Sequence, residues 1–421
     1  MKKIDLLLES LEKLHPKYID LSLNRINLLL NKLDNPHLKL PPCIHIAGTN
    51  GKGSTLSLLK HIMLESGYIV HAYTSPHLEK INERFFISNK FISDKLLFET
   101  LKYIKKINNK EPITFYEITT AAAFYLFKNF YADFLLLETG LGGRLDATNV
   151  INNPLLSIIT PISLDHQEYL GNSIKKITAE KLGIVKSSAT VITSKQSDTV
   201  EKEIKKILKK KKNKSIKYKR DWNIKILNNY FFYITKKNSL KYINPSLIGK
   251  HQLYNAGTAI TSINYLKKIG YKFNNKQINL GLKNTYWPGR LEKIKYKKHD
   301  IYFEGAHNIE GAIALRDFII ESNKKTYLIL GMLSSKDIDS FLKIFKDKIM
   351  GVIAVKIPNQ KNSYDNKKIY EHCKKNKIYC QKKDSVKDAL NYLNQSNNIE
   401  QIIICGSLYL IGEIKKNKLT N

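Results

Sequence analysis

Cysteine is scarce. The chain has four in 421 residues (Cys43, Cys373, Cys380 and Cys405), scattered and without a C-x-x-C pair. That excludes a disulfide scaffold and a thiolate zinc site, and it fits a reducing compartment. Long apolar runs are also missing. None approaches the ~20 residues of a membrane span, so no membrane partner is expected. The opening MKKIDLLLESLEKL breaks its apolar positions with Asp5, Glu9 and Glu12, which a signal-peptide core would exclude. An amphipathic first helix in a cytoplasmic protein is the expectation. Acidic residues are outnumbered, 37 against 70 basic ones, for a net charge of +33. Yet only six of the basic residues are arginine, and the lysines are spread along the chain. The densest block, KKILKKKKNK at 205–214, reads as a solvated helix end. An aromatic-interleaved basic stripe is lacking, so no nucleic-acid partner is expected. Attraction of anionic small substrates is the simpler use of such a field.

What is present is enough apolar residue, 43 %, for a sizeable core in two domains. Runs such as CIHIA (43–47), IVHAYT (69–74), DFLLLET (133–139), LLSIIT (155–160) and TVIT (190–193) read as buried strands, with helical periodicity between them. This predicts an α/β fold with a mostly parallel sheet of P-loop type and flanking helices. Between about 216 and 244 the pattern changes to a small antiparallel β portion with Asn-Asn and Lys-Asn turns. TYWPGR (285–290) reads as a hinge, and a second strand–helix alternation predicts a smaller Rossmann-like α/β domain after it.

The most informative stretch is HIAGTNGKGSTLSLLKHI (45–62). It departs from the strict P-loop spacing because Ile46, not glycine, stands five residues before Gly51. The physics still points to phosphate. A strand ends, glycines permit a tight turn, and amides converge at a helix start. Thr49, Asn50, Gly51, Lys52, Gly53 and Ser54 form that turn, with Lys52 adding a full charge. A kinase, an NTPase motor and a ligase all use such a loop.

Further polar residues end other strands, where open α/β sheets bind ligands. TSPHL places Ser75 there, LETGLGGRLDATN places Glu138, Arg144 and Asp146, and SLDHQEYLG places Asp165 and His166. Ser75, Glu138 and His166 are a candidate set for Mg²⁺ beside nucleotide phosphates. Lys181, in AEKLGIVK, stands in an otherwise apolar helical pattern, either snorkelling to solvent or carrying a carbamate. In the second domain FEGAHN presents Glu304, His307 and Asn308, and CGSLYLIGE presents Ser407. Two such strand ends suggest that substrate lies between the domains.

Taken in order, GTNGKGS, TSPHL, LETGLGGRLDATN, LDHQEYLG, AEKLGIVK, HQLYNA, PGR and GAHN closely resemble the bifunctional dihydrofolate synthase/folylpolyglutamate synthase family of muramyl-type, ATP-dependent amide ligases. The resemblance covers nearly the whole chain. It implies residues 1–287 as an ATP-binding ligase domain and 288–421 as a C-terminal glutamate-ligase domain. It implies joining of L-glutamate to dihydropteroate, to tetrahydrofolate, or to both, through an acyl phosphate. Thr49 to Ser54, Asn255, Arg290 and Glu304 would hold ATP, and Ser75, Glu138 and His166 two Mg²⁺ ions. Lys181 matches the position of a carbamylated lysine, and a monovalent cation is implied as well. Lys52, Lys181 and His307 would serve the chemistry. Thr114, Phe115, Tyr116 and Glu117, with Leu145, Asp146 and Ala147, would meet the pterin–pteroate part, and His307 and Ser407 the incoming glutamate. A monomer is expected. One departure stands out: Glu304 occupies a position that is usually Asp. A muramyl-type ligase acting on another acid, and a nucleic-acid-dependent ATPase, are the competing readings.

Overall fold

The computed structural model describes residues 3–187, 189–297, 299–395 and 398–417. The chain divides into two compact units. One holds the residues up to Ser246 together with Leu253–Thr285; the other holds Leu247–Gln252 and the residues from Tyr286 onward.

The first unit is built on an eight-stranded sheet: β1 (Cys43–Ala47), β2 (Val70–Tyr73), β3 (Phe85–Ile87), β4 (Lys90–Phe91), β5 (Phe134–Glu138), β6 (Leu156–Ile159), β7 (Thr190–Thr193) and β8 (Ser215–Lys217). Their order is β4-β3-β2-β5-β1-β6-β7-β8, parallel from β2 to β8, with an antiparallel hairpin at one edge. β1 and β5 are buried at every residue, as strands covered on both faces by helices must be. The chain lays β2 and β5 on one side of β1 and β6 to β8 on the other. The carboxyl end of β1 is therefore the point where strand order reverses, the place where such sheets hold ligands. The helices Lys52–Glu65 and Phe115–Asn129 are buried almost all round, which is why their apolar residues do not confine themselves to one stripe.

A three-stranded antiparallel sheet, β9 (Trp222–Ile226), β10 (Tyr230–Thr235) and β11 (Ser239–Ile243), follows; its first turn is the expected Asn228-Asn229, while the second falls on Lys236-Lys237 rather than Lys-Asn, because Asn238 pairs with Thr235. The lysine block caps the helix Asp198–Lys211, which buries Val200, Ile204 and Leu208 and turns its basic face outward.

The second unit has a six-stranded sheet of β12 (Arg290–Tyr296), β13 (His299–Glu304), β14 (Thr326–Leu330), β15 (Gly351–Ala354), β16 (Cys380–Lys382) and β17 (Gln401–Cys405), in the order β12-β13-β17-β14-β15-β16. Only β12 runs antiparallel to its neighbour. Among the described residues no helix is long and apolar enough to cross a membrane.

Candidate active site

The loop after β1 is stapled in place. The Thr49 and Asn50 N–H groups donate to the Pro161 carbonyl at 2.8 and 3.2 Å. The Thr49 hydroxyl donates to the Ser163 carbonyl and accepts from the Ser163 N–H, both at 3.0 Å. Those two loop amides are thus engaged by the chain itself. The donors facing off the helix end are instead the first-turn N–H groups of Lys52, Gly53 and Ser54, since the first helical bond runs from Thr55 N–H to the Gly51 carbonyl. Gly51 sits at φ 80°, and a Cβ there would come 2.7 Å from Asn255 Oδ1, so both conformation and space demand glycine. The same contact brings Asn255, which is buried, against the loop.

Two lysines converge on one carbonyl. Lys52 Nζ donates to the Gly48 and Thr49 carbonyls at 3.2 and 3.3 Å, and Lys181 Nζ to the Gly48 carbonyl at 2.8 Å. Lys181 ends the helix Ile174–Lys181 and is only 5 % exposed. Burial, and then the charge of Lys52, push its amine down to about 7, against the opposing pull of Asp165 and Asp146.

Ser75 and Glu138 are also brought together. Glu138 closes β5, is buried, and accepts the Ser75 N–H on Oε2 at 3.3 Å. The Ser75 hydroxyl is buried, with the Tyr116 hydroxyl beside it and no well-aligned hydrogen bond. A hydroxyl in that state beside a buried carboxylate is a hard-oxygen donor pair, and it fits Mg²⁺ completed by phosphate and water. His166 adopts a left-handed backbone (φ 50°) before the short helix Gln167–Leu170, with its ring 3.9 Å from the Asp165 carboxylate. Among the described residues no trio of His, Cys, Asp and Glu is gathered, so protein side chains alone do not form a closed metal site.

The residues expected to meet the acid have clear local duties. Thr114 and Glu117 form a capping box at the start of the helix Phe115–Asn129. Glu117 Oε2 accepts from the Thr114 N–H and hydroxyl, both at 2.8 Å, and from Arg25 Nε at 3.0 Å. Phe115 packs under the Arg84 guanidinium. Tyr116 points its hydroxyl toward Asp146 Oδ1, at 3.5 Å. Asp146, between partly buried Leu145 and buried Ala147, accepts the Leu141 N–H at 2.7 Å, the Thr148 N–H at 3.0 Å and the Thr148 hydroxyl at 2.5 Å. Arg25 also donates to the Asp20 carboxylate at 2.8 Å, but its tie to Glu117 carried no signal in the sequence, because the two lie 92 residues apart. The box itself was readable as the T-x-x-E spacing.

In the second unit Arg290 and Glu304 are cross-strand neighbours, Nη1 to Oε1 4.0 Å. Glu304 Oε2 also accepts the Leu291 N–H at 2.9 Å. Burial raises the Glu304 carboxyl, with Arg290 opposing. His307 Nδ1 lies 2.8 Å from the Gly305 carbonyl, and the Ser407 hydroxyl caps the helix Leu408–Lys416 by accepting the Tyr409 N–H.

Comparison with known proteins agrees along the whole chain. The Mur ligase middle domain matches residues 46–263, and the dihydrofolate synthetase C-terminal domain matches 289–417. The dihydrofolate synthase/folylpolyglutamate synthase of Bacillus subtilis is 31 % identical, with 94 % of each chain covered. The solved E. coli FolC in complex with DHPP and ADP superposes with a TM-score of 0.90 at 27 % identity, covering 99 % of this chain and 98 % of the other. A bifunctional folylpolyglutamate synthase/dihydrofolate synthase with Mn, AMPPNP and L-glutamate bound gives 0.88 at 25 % identity, covering 99 % of this chain and 98 % of the other. The chain therefore belongs to the dihydrofolate synthase/folylpolyglutamate synthase family, an ATP-dependent, amide-bond-forming branch of the Mur ligases.

Proposed function

We propose that this protein joins L-glutamate to dihydropteroate and extends tetrahydrofolate with further glutamates, releasing ADP and phosphate. The observation that carries the reading is the crowding of Lys52 and Lys181 on the Gly48 carbonyl at the mouth of a helix. Lys52 Nζ and the first-turn N–H groups gather positive charge at one point, which a polyphosphate bridges, while Lys181 holds the loop carbonyl from the other side.

The acid's carboxylate is a poor acylating agent. Transfer of the γ-phosphoryl of ATP makes it an acyl phosphate, the amine of glutamate attacks the carbonyl, and phosphate departs as the amide forms. Lys52 and the loop hold the phosphates, and Asn255, facing Gly51, extends that grip toward the nucleotide. Bound through Ser75, Glu138 and His166, divalent ions would offset the charge on the transferring phosphoryl. Thr114 to Glu117 and Leu145 to Ala147 present the surface for the pterin-bearing acid. We assign residues 288–421 to the glutamate side, with Arg290 and Glu304 toward nucleotide and His307 and Ser407 toward glutamate.

Lys181 is suited to carbamylation. An amine titrating near neutrality has a deprotonated fraction that adds to CO₂ and loses a proton, giving a carboxylate that would pair with Lys52. A ¹³C-bicarbonate label on the wild type, absent from Lys181→Ala, tests it by NMR. The reading also includes a monovalent cation, tested by exchanging K⁺ for a bulky organic cation, and a cytoplasmic monomer, tested by sedimentation.

The deciding experiment is ADP release with glutamate and Mg²⁺, comparing dihydropteroate, tetrahydrofolate and no acceptor. Stimulation by either acceptor is expected. Release indifferent to both, or stimulated by DNA or RNA instead, overturns the reading.

A further inference from the structure

We infer that His45 and Thr148 are positioning residues for the acid acceptor: the His45 ring, acting through the Thr148 hydroxyl, fixes the direction of the Asp146 carboxylate. The inference rests on the proposed placement of Asp146 in the pterin–pteroate site.

The proton count decides the geometry. The Thr148 hydroxyl lies 2.5 Å from Asp146 Oδ1 and 2.9 Å from His45 Nε2. It owns one proton. Burial raises the Asp146 carboxyl, with the Leu141 and Thr148 N–H groups opposing. Asp146 Oδ1 already accepts the Thr148 N–H and so bears no proton of its own, and the hydroxyl proton goes to it. The hydroxyl lone pair then takes a proton donated by His45, which fixes the ring as the Nε2–H tautomer.

That choice leaves Nδ1 bare, and Nδ1 is indeed buried without a hydrogen-bond partner. Burial, helped by the nearby charge of Lys186, pushes the ring down to about 3, so it stays neutral. A leucine would fill this fully buried slot in β1 with no orphaned nitrogen. A polar ring in such a slot points to a task. The ring belongs to the strand that leads into the phosphate loop, and Thr148 to the turn that carries Asp146. One hydroxyl therefore ties the direction of the acceptor-binding carboxylate to the strand that aims the phosphates. The longest contact on Oδ1, Tyr116 at 3.5 Å, is the one a ring N–H of a heteroaromatic substrate can replace.

The test uses the full-length enzyme with Mg²⁺-ATP, dihydropteroate and glutamate. Thr148→Val is expected to raise KM for dihydropteroate about tenfold or more, as loss of a hydrogen bond to a charged group does, with KM for ATP and glutamate within about twofold. Thr148→Ser should restore dihydropteroate KM to within about threefold, and His45→Phe should cost less than Thr148→Val. An unchanged dihydropteroate KM in Thr148→Val, or a parallel rise for all three substrates, overturns the inference. A second measurement does not depend on turnover: ¹⁵N shifts of the wild-type His45 ring should show Nε2 protonated and Nδ1 bare. The opposite tautomer overturns the inference even if Thr148→Val does not fold. A wild type without dihydropteroate-stimulated ADP release defeats the ligase reading instead, and the ring spectrum then decides the relay alone.

Discussion

The strand-end residues of the two units are secured in different ways. In the first, short ties such as Lys52 to Gly48 are joined by ties to parts of the chain far away in sequence: Lys181 to Gly48 across 133 residues, Thr49 to Ser163 across 114, His45 to Thr148 across 103. In the second, short ties are the feature: His307 with Gly305, Ser407 with Tyr409, and Arg290 with Glu304 across one hairpin. A site built from long-range ties is fixed once the sheet forms, and little rearrangement is left to be made at the moment of reaction. A site built from local ties leaves its side chains to be ordered by ligand. The comparison predicts large catalytic effects in the first unit and modest, separable ones in the second.

The sharpest attempt to break it is Lys52→Ala. Lys52 is only partly buried, and its two carbonyl contacts contribute little to folding. Turnover with either acceptor should fall by about 10²–10³-fold or more, the cost of removing a preorganised cation or donor, while the melting temperature shifts by no more than about 2 °C. ADP release and a thermal scan check both. Turnover near wild type would remove the loop from the chemistry.

Lys181 gives the next largest effect, and its sign can be worked out. The folded amine titrates near 7 and the unfolded one near 10.5. Between those values the unfolded chain carries a proton that the folded chain lacks, so this group makes stability rise with pH across that window. Below about pH 7 the full cost of burying the charge is present. Lys181→Met removes the titration. Its stability relative to wild type should be greatest at pH 7 and below and should decline toward pH 10, by on the order of a few kcal/mol. Urea melts in CO₂-free buffer measure the difference. A flat difference would mean that Lys181 is solvated or paired at all pH values.

The elements were legible because they are local. Strands such as DFLLLET announce themselves by unbroken apolar runs, and the glycines of GTNGKGS by the turn they permit. The strand-end placing of Ser75, Glu138 and His166 followed from the same reading. The ties were not legible. The order β2-β5-β1-β6 is set by pairing between distant segments, and nothing near Gly48 says that Lys181 will meet it. TFYE shows the opposite failing. The resemblance assigns it to substrate, whereas its T-x-x-E spacing announces a capping box, whose Glu117 holds Arg25. Substrate contact and helix capping are not exclusive, but the second is what the spacing encodes.

Arg25 tests that point. Arg25→Ala strips the cation from a glutamate that is 3 % exposed and leaves the helix start with an underpaired charge. The expected loss is about 2–3 kcal/mol, below the range for a fully buried pair because Arg25 is itself partly solvated. Arg25→Ala combined with Glu117→Gln should recover part of it. If the single variant melts like wild type, the long-range tie is ornamental and the contrast between the units weakens.

The smallest effect belongs to the second unit, where Glu304→Asp separates bracing from binding. β12 bulges between Arg290 and Glu292, and Leu291 takes a left-handed backbone (φ 47°) that turns its N–H to Glu304 Oε2. A β-bulge with a bulky residue at positive φ costs energy and needs support from its surroundings. The longer side chain of Glu304 reaches that N–H while keeping Oε1 within 4.0 Å of Arg290. An aspartate, one methylene shorter, cannot hold both. If the carboxylate chiefly braces the hairpin, Glu304→Asp should lose about 1 kcal/mol of stability and leave KM for ATP within about twofold. If nucleotide contact is its main duty, stability should hold while KM for ATP moves by more than that. The first outcome is expected, because Arg290 and Leu291 lie within the hairpin of Glu304 and its third partner, the Ala306 backbone, lies two residues on. The second would mean that the ties of the second unit, though short in sequence, serve the ligand as directly as those around Gly48.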